Sequence, residues 1–70
     1  MKQRTNTTRN NMTIEQFYSQ GWGPRMQCEY RGATYDIASV DFFECLVGLA
    51  DSSSPLGINW VRCENITLKN

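Results

Sequence analysis

Residues 30–68 read YRGATYDIASVDFFECLVGLADSSSPLGINWVRCENITL, a succession of short β-type runs broken by Gly, Asp and Ser-Pro punctuation. Turn-forming residues this closely spaced leave no room for long strands, and none for the crossover helices that parallel strands require. The expected arrangement is a small, strongly bent antiparallel sheet that closes on itself. A closed barrel of this size has almost no interior left for a reaction site. It presents loops and sheet edges, so the pattern points to binding.

Residues 25–31 alternate strictly. Met26, Cys28 and Tyr30 point one way and Arg25, Gln27, Glu29 and Arg31 the other, which is the mark of a half-buried strand. Arg31-Gly32 reads as a tight turn, with Gly taking positive φ. The chain then returns through residues 34–40. Strict alternation from Tyr35 and Ile37 would bury Ser39 and expose Val40, so a bulge or bend is expected near Ala38-Ser39. Residues 42–49 are expected to form a third strand, with Phe43, Cys45, Val47 and Leu49 on one face and Phe42, Glu44, Leu46 and Gly48 on the other. Apolar residues on both faces suit a central strand or one covered by a helix. A helix opening at Asp41 competes with this reading, but Gly48 and the β-rich flanks favour the strand. After a loop over residues 50–57, a fourth strand spans 58–63, Glu64-Asn65 turns the chain as a 3₁₀ turn, and residues 66–68 close the sheet.

Upstream, Thr13 is a candidate helix N-cap. Gln16 completes a capping box with it, and Ile14, Phe17 and Tyr18 share one apolar face. Gly21 ends the segment. One to two turns do not persist alone, so this helix is expected to pack over an open end of the barrel. Trp22, between two glycines, is expected to plug that end, and Tyr30 and Tyr35 are expected to pair across the first hairpin.

Five short strands, a sharp bend between the second and third, and WVRCENITL as closing strand, 3₁₀ turn and final strand resemble the SH3-like small barrels over residues 24–69. The resemblance is one of architecture and implies a fold: a mainly β, five-stranded antiparallel barrel with a short N-terminal helix. The chain carries neither the acidic, tyrosine-rich first loop and Trp pair of the proline-binding SH3 family nor the motifs of the Sm-like RNA-binding family, so no family function is implied. Compact chains with a polar leader also resemble products of phages and mobile elements.

A chain of 70 residues holds one domain. Residues 1–11 have no apolar side chain after Met1 and are expected to be a disordered polar leader, with residues 12–70 forming the domain. The leader carries Lys2, Arg4 and Arg9 and no acid; residues 12–70 carry four bases and seven acids. The body is therefore acidic, which disfavours phosphate as a ligand. With no apolar stretch resembling a signal peptide or a membrane span, and with an odd number of cysteines (Cys28, Cys45 and Cys63), the expected setting is the cytoplasm with thiols reduced. The chain has no His and no closely spaced cysteines, so neither a metal site nor any other cofactor is expected. Lack of a His base also argues against a Ser or Cys nucleophile, and the expectation is that the protein is not an enzyme and takes no small-molecule substrate.

Two binding readings remain. In the first, the protein is an interaction module or small regulator or inhibitor. It would hold a partner protein, or a second copy of itself, through exposed Trp60, Arg62, Phe42 and Leu46, residue types of which Trp and Arg are enriched at hot spots. In the second, a nucleic-acid-binding barrel uses Arg25, Arg31 and Arg62 with aromatic stacking. The acidic body favours the first. An aromatic cage from Trp60, Tyr35 and Phe42 is a minor variant requiring all three rings to converge.

Overall fold

The computed structural model describes residues 11–69. The basic side chains of the leader fall outside the described residues. Thr13 opens helix α1 (Ile14–Ser19) as expected: its side chain accepts from the Gln16 N–H at 3.1 Å, and the Gln16 side chain accepts from the Thr13 N–H at 2.9 Å. Five strands follow: β1 (Gln27–Tyr30), β2 (Ala33–Asp41), β3 (Leu46–Ala50), β4 (Ile58–Arg62) and β5 (Thr67–Lys69), with a 3₁₀ turn at Cys63–Asn65. All pairings are antiparallel, and the order across the sheet is β4-β3-β2-β1-β5.

This is the expected mainly β, five-stranded antiparallel sheet with one short helix, but it is not closed. β4 and β5 are both edges, and no ladder joins them. The 3₁₀ turn at Cys63–Asn65 connects them. The Ile66 carbonyl next to β5 accepts instead from the Met12 N–H at 2.9 Å, and the Thr67 hydroxyl donates to the Asn11 side chain at 2.9 Å. The segment entering α1 therefore lies against the start of β5, where a closing strand would have to lie.

β1 is shorter at both ends than the alternation of residues 25–31 suggests. Arg25 and Arg31 both have positive φ (67° and 51°) and belong to turns. Arg31 with Gly32 (φ 82°) gives the two positive values that a two-residue hairpin turn matched to strand twist requires. β2 spans both halves of the sheet, and its register against β3 shifts between Ile37 and Ser39. That bulge turns Val40 to face Val47 and pack on the core, as the misplaced parity of Ser39 and Val40 demanded.

The expected strand over residues 42–49 is corrected by the structure. Residues 42–45 form a turn, neither strand nor helix, and β3 begins only at Leu46. The cause is Asp41, whose carboxylate Oδ1 accepts from the Phe43 N–H at 2.9 Å and the Glu44 N–H at 3.2 Å. An Asp that bonds the backbone two and three residues ahead takes those N–H groups away from a ladder. Phe43, expected on the inner face, is 92% exposed as a result. From Leu46 onward the expected parity holds, and β3 is a central strand between β2 and β4.

The core consists of Met12, Phe17, Cys28, Val47, Leu49, Val61, Cys63 and Ile66. Helix α1 covers one end of it. The Phe17 ring meets Trp22 at 5.5 Å and Phe42 at 5.3 Å between centroids. Trp22 is half-buried, packs on the core, and donates its ring N–H to the Phe17 carbonyl at 3.1 Å, so it covers this end of the core, although there is no closed barrel for it to plug. Tyr30 and Tyr35 pair across the first hairpin at 6.4 Å.

Candidate binding face

The register between β3 and β4 sets the candidate face. Val47 lies opposite Val61 and Leu49 opposite Asn59 toward the core; Leu46 lies opposite Arg62, Gly48 opposite Trp60 and Ala50 opposite Ile58 on the other face. Trp60, Arg62, Leu46 and Ile58 therefore share the outer face because successive side chains alternate and Val61 is committed inward. Gly48 provides the bed for this group. A side chain there would meet Ile58 Cγ2 at 3.0 Å and two carbons of the Trp60 ring at 3.1 Å, so the ring lies directly over the glycine backbone. Trp60 nevertheless keeps 44% of its surface exposed. Sequence reasoning placed Trp60 beside Arg62. It did not place Ile58 on the face as a contact, although Ile58 has the same parity. It also passed over Leu56, 90% exposed in the loop that leads into β4.

The edge next to this face is chemically defined. The Cys63 N–H donates to the Cys45 carbonyl at 3.0 Å, and the Asp51 N–H donates to the Gly57 carbonyl at 2.9 Å. These two bonds fix which residues of β4 face β3 through their backbone. Hydrogen-bonded and non-hydrogen-bonded pairs alternate along an antiparallel ladder. Asn59 and Val61 therefore bond β3, while Ile58, Trp60 and Arg62 turn their N–H and C=O groups toward the open side of the sheet. The residues that display side chains on the outer face thus also display backbone at the edge.

Arg62 is held rather than free. Its Nε and Nη2 donate to the two carboxylate oxygens of Glu64 at 3.0 and 3.2 Å. This forked contact holds the Glu64 carboxyl below its usual range and raises Arg62 further. Both partners are well exposed, so solvent screens the pair and it adds little to stability. Its main effect is orientation.

Phe42 does not join Trp60. The turn carries it to α1, where it packs on Phe17 and its carbonyl accepts from the Tyr18 hydroxyl at 3.1 Å. The cage rings also have separate neighbours: Tyr35 pairs with Tyr30, Phe42 with Phe17, and Trp60 lies over Gly48. The three arginines of the nucleic-acid reading are dispersed. Arg25 and Arg31 lie in turns at opposite ends of β1, about 20 Å apart along an extended chain. The Arg31 guanidinium rests on the Tyr30 ring at 5.3 Å from its centroid, and Arg62 is engaged by Glu64.

Two further features lie off this face. Surface cavities of about 360 and 290 Å³ open beside α1 and beside Trp22 respectively; neither is lined by an ionisable side chain. Among the described residues no group of His, Cys, Asp or Glu side chains is arranged to hold a metal ion, and no helix is long and apolar enough to cross a membrane. No family model, curated protein or solved structure matches this chain.

Proposed function

We propose that the protein is a non-enzymatic interaction module, a small regulator or inhibitor that binds a partner protein, or a second copy of itself, through the outer face of β3 and β4. The observation that carries this reading is Trp60, a large ring seated on Gly48 and left half in solvent, flanked by Leu46, Ile58 and an oriented Arg62 beside an open strand edge. An exposed Trp with an adjacent Arg is the composition of an interface hot spot, and an open edge offers backbone hydrogen bonds to an incoming strand. Phe42 is not part of this contact. The bent β2 and the 3₁₀ turn before β5 support an SH3-like small barrel left open between β4 and β5. The cytoplasm suits its three free thiols. The nucleic-acid reading has weaker support, because its arginines are scattered and one is paired to Glu64.

The test is affinity capture with wild-type protein, Trp60→Ala and Phe43→Ala in parallel, with and without nuclease, together with sedimentation of the purified chain. A stoichiometric partner, or a self-associated form, that survives nuclease and Phe43→Ala but is lost with Trp60→Ala supports the proposal. Phe43→Ala is the control because Phe43 is equally aromatic and more exposed but lies in the turn preceding β3. Binding unchanged by Trp60→Ala removes this face. Capture that collapses on nuclease treatment and weakens steeply with salt transfers the function to the arginines.

A further inference from the structure

We infer that Cys45 and Cys63 are a redox pair, able to close a reversible disulfide between the β2–β3 turn and the 3₁₀ turn. The two residues lie directly across from one another where the β3–β4 ladder ends. The Cys63 N–H donates to the Cys45 carbonyl at 3.0 Å, one step beyond the last ladder pair, Leu46–Arg62, and Cys45 takes positive φ (60°) as the last residue of the turn before β3. A single backbone N–H···O=C bond across the mouth of an antiparallel ladder brings the two Cα atoms to roughly 5–6 Å, within the span of roughly 4.4–6.8 Å that a disulfide accepts. Both thiols are free, and both belong to one cluster with Tyr18, Arg62 and Glu64. Cys28 is remote in character. It is buried among the core residues, and burial pushes its thiol up to about 11.

The surroundings give the two thiols different roles. Cys45 is half-buried, and its sulfur lies 3.2 Å from the Tyr18 hydroxyl. That hydroxyl has a single hydrogen, which goes to the Phe42 carbonyl, an acceptor only. The Cys45 S–H is therefore the donor to Tyr18. Cys63 is fully buried, and its S–H points to the Glu64 carboxylate at 3.7 Å. Burial first, and then the Glu64 charge, raise its thiol above the ordinary value. The accessible Cys45 is the sulfur that meets an external oxidant, and Cys63 is the resolving thiol.

With a small disulfide such as oxidised glutathione as oxidant, the Cys45 thiolate attacks one sulfur and expels one thiolate, leaving a mixed disulfide. Cys63 then attacks the Cys45 sulfur and expels the second. The protein loses two protons and two electrons, which reduce the reagent to two thiols. The bridge removes the Cys45 S–H, so the Tyr18 hydroxyl keeps Phe42 and loses Cys45. It also fixes the residue between Arg62 and Glu64, so the oxidised form changes both the docking of α1 and the end of the Trp60 face.

The experiment is incubation of the full native chain with oxidised glutathione, blocking of remaining thiols, and tryptic mapping. Cleavage after Arg31 and Arg62 separates the three cysteines: Cys28 remains upstream, Cys45 lies in 32–62 and Cys63 in 63–69. The expected product is monomeric, lighter by two hydrogens, with 32–62 joined to 63–69 and Cys28 blocked as a free thiol. Cys63→Ser should stop at a stable glutathione adduct on Cys45. Cys45→Ser should react about tenfold more slowly or less. Reduction should restore the starting protein. A bridge that includes Cys28, a dimer linked between chains, or a wild-type adduct on Cys45 that never resolves would each overturn the inference. Mapping of the wild-type chain decides it even if a variant fails to fold.

Discussion

Gly48→Ala tests the geometry of the candidate face directly, because its effect depends on Trp60. A methyl group at position 48 would sit 3.0 Å from Ile58 Cγ2 and 3.1 Å from two Trp60 ring carbons, inside the roughly 3.5–4.0 Å at which carbon pairs attract. The Gly48 backbone does not use positive φ, so alanine can adopt it and would gain about 0.5–1 kcal/mol from the smaller entropy of the unfolded chain. Against that gain, the ring must lift by a few tenths of an ångström, and half-buried, β-branched Ile58 is stiff at χ1. A displaced, off-rotamer side chain costs about 0.5–1.5 kcal/mol. With Trp60 in place, Gly48→Ala is therefore expected to be neutral or destabilising by up to about 1 kcal/mol. In a Trp60→Ala background the ring is gone and only the 3.0 Å contact with Ile58 Cγ2 opposes the gain, so the same change should stabilise by a few tenths of a kcal/mol at most. The four corners give a coupling of about 1 kcal/mol, within the range found for residues in contact. Urea unfolding followed by far-ultraviolet circular dichroism measures it without relying on Trp fluorescence. If Gly48→Ala has the same effect in both backgrounds, the ring does not lie on Gly48 and the preorganised face is wrong.

Phe17 is fully buried and anchors α1 against Trp22 and Phe42, so Phe17→Ala should cost about 3–5 kcal/mol and leave a domain this small largely unfolded; a cooperative thermal transition near the wild-type midpoint would refute that placement. Thr13→Ala removes the cap acceptor of the Gln16 N–H and should destabilise by about 1 kcal/mol in the same urea assay, while an unchanged midpoint would show that α1 contributes little. The Cys28 thiol is raised from 9.0 to about 11 by burial, so the unfolded chain releases this proton first. The contribution of Cys28 to stability should be full below about pH 9 and be lost, by up to about 2–3 kcal/mol, as pH rises toward about 11. Cys28→Ala should flatten that slope, and an identical slope in the variant would refute the assignment.

The fold was legible wherever one residue or one parity decides the local structure. Thr13 and Gln16 announce the helix, Arg31-Gly32 the hairpin, and the misplaced Ser39 and Val40 the bulge. Trp60 could be placed outward from sequence because Val61 and Cys63, of opposite parity, fill the core. The misreading of residues 42–45 has an equally local cause. DFFECLVGL offers apolar residues at both periods, and a reading by periodicity gives no weight to one Asp side chain taking two backbone N–H groups. The error moved Phe42 onto the face and Phe43 into the core, whereas the structure sends Phe42 to α1 and Phe43 to solvent. Closure was illegible for another reason. Whether β4 meets β5 depends on the path of the 3₁₀ turn and on Met12 reaching the Ile66 carbonyl, a contact between residues far apart in sequence. The facing of Cys45 and Cys63 follows from the β3–β4 register, which can be counted only once the length of the turn before β3 is known.

The register that exposes Trp60 also limits what else that ring could be doing. A slip of β4 by one residue against β3 would turn Trp60 and Ile58 inward and expel Val61, so the buried side chain of β4 itself suffices to fix the strand pairing. Trp60 is not needed to specify the sheet. Covering Gly48 requires only part of an indole, yet nearly half of the ring remains in water while the core is filled by smaller side chains. The ring is packed on one side against the Gly48 backbone, with Ile58 on the same face beside it. The forked Arg62–Glu64 contact, two residues further along the same strand, holds the neighbouring charge. The face thus combines exposure with a place on regular strand, and this combination distinguishes it from Phe43 and Leu56, which are more exposed but lie in turns or loops.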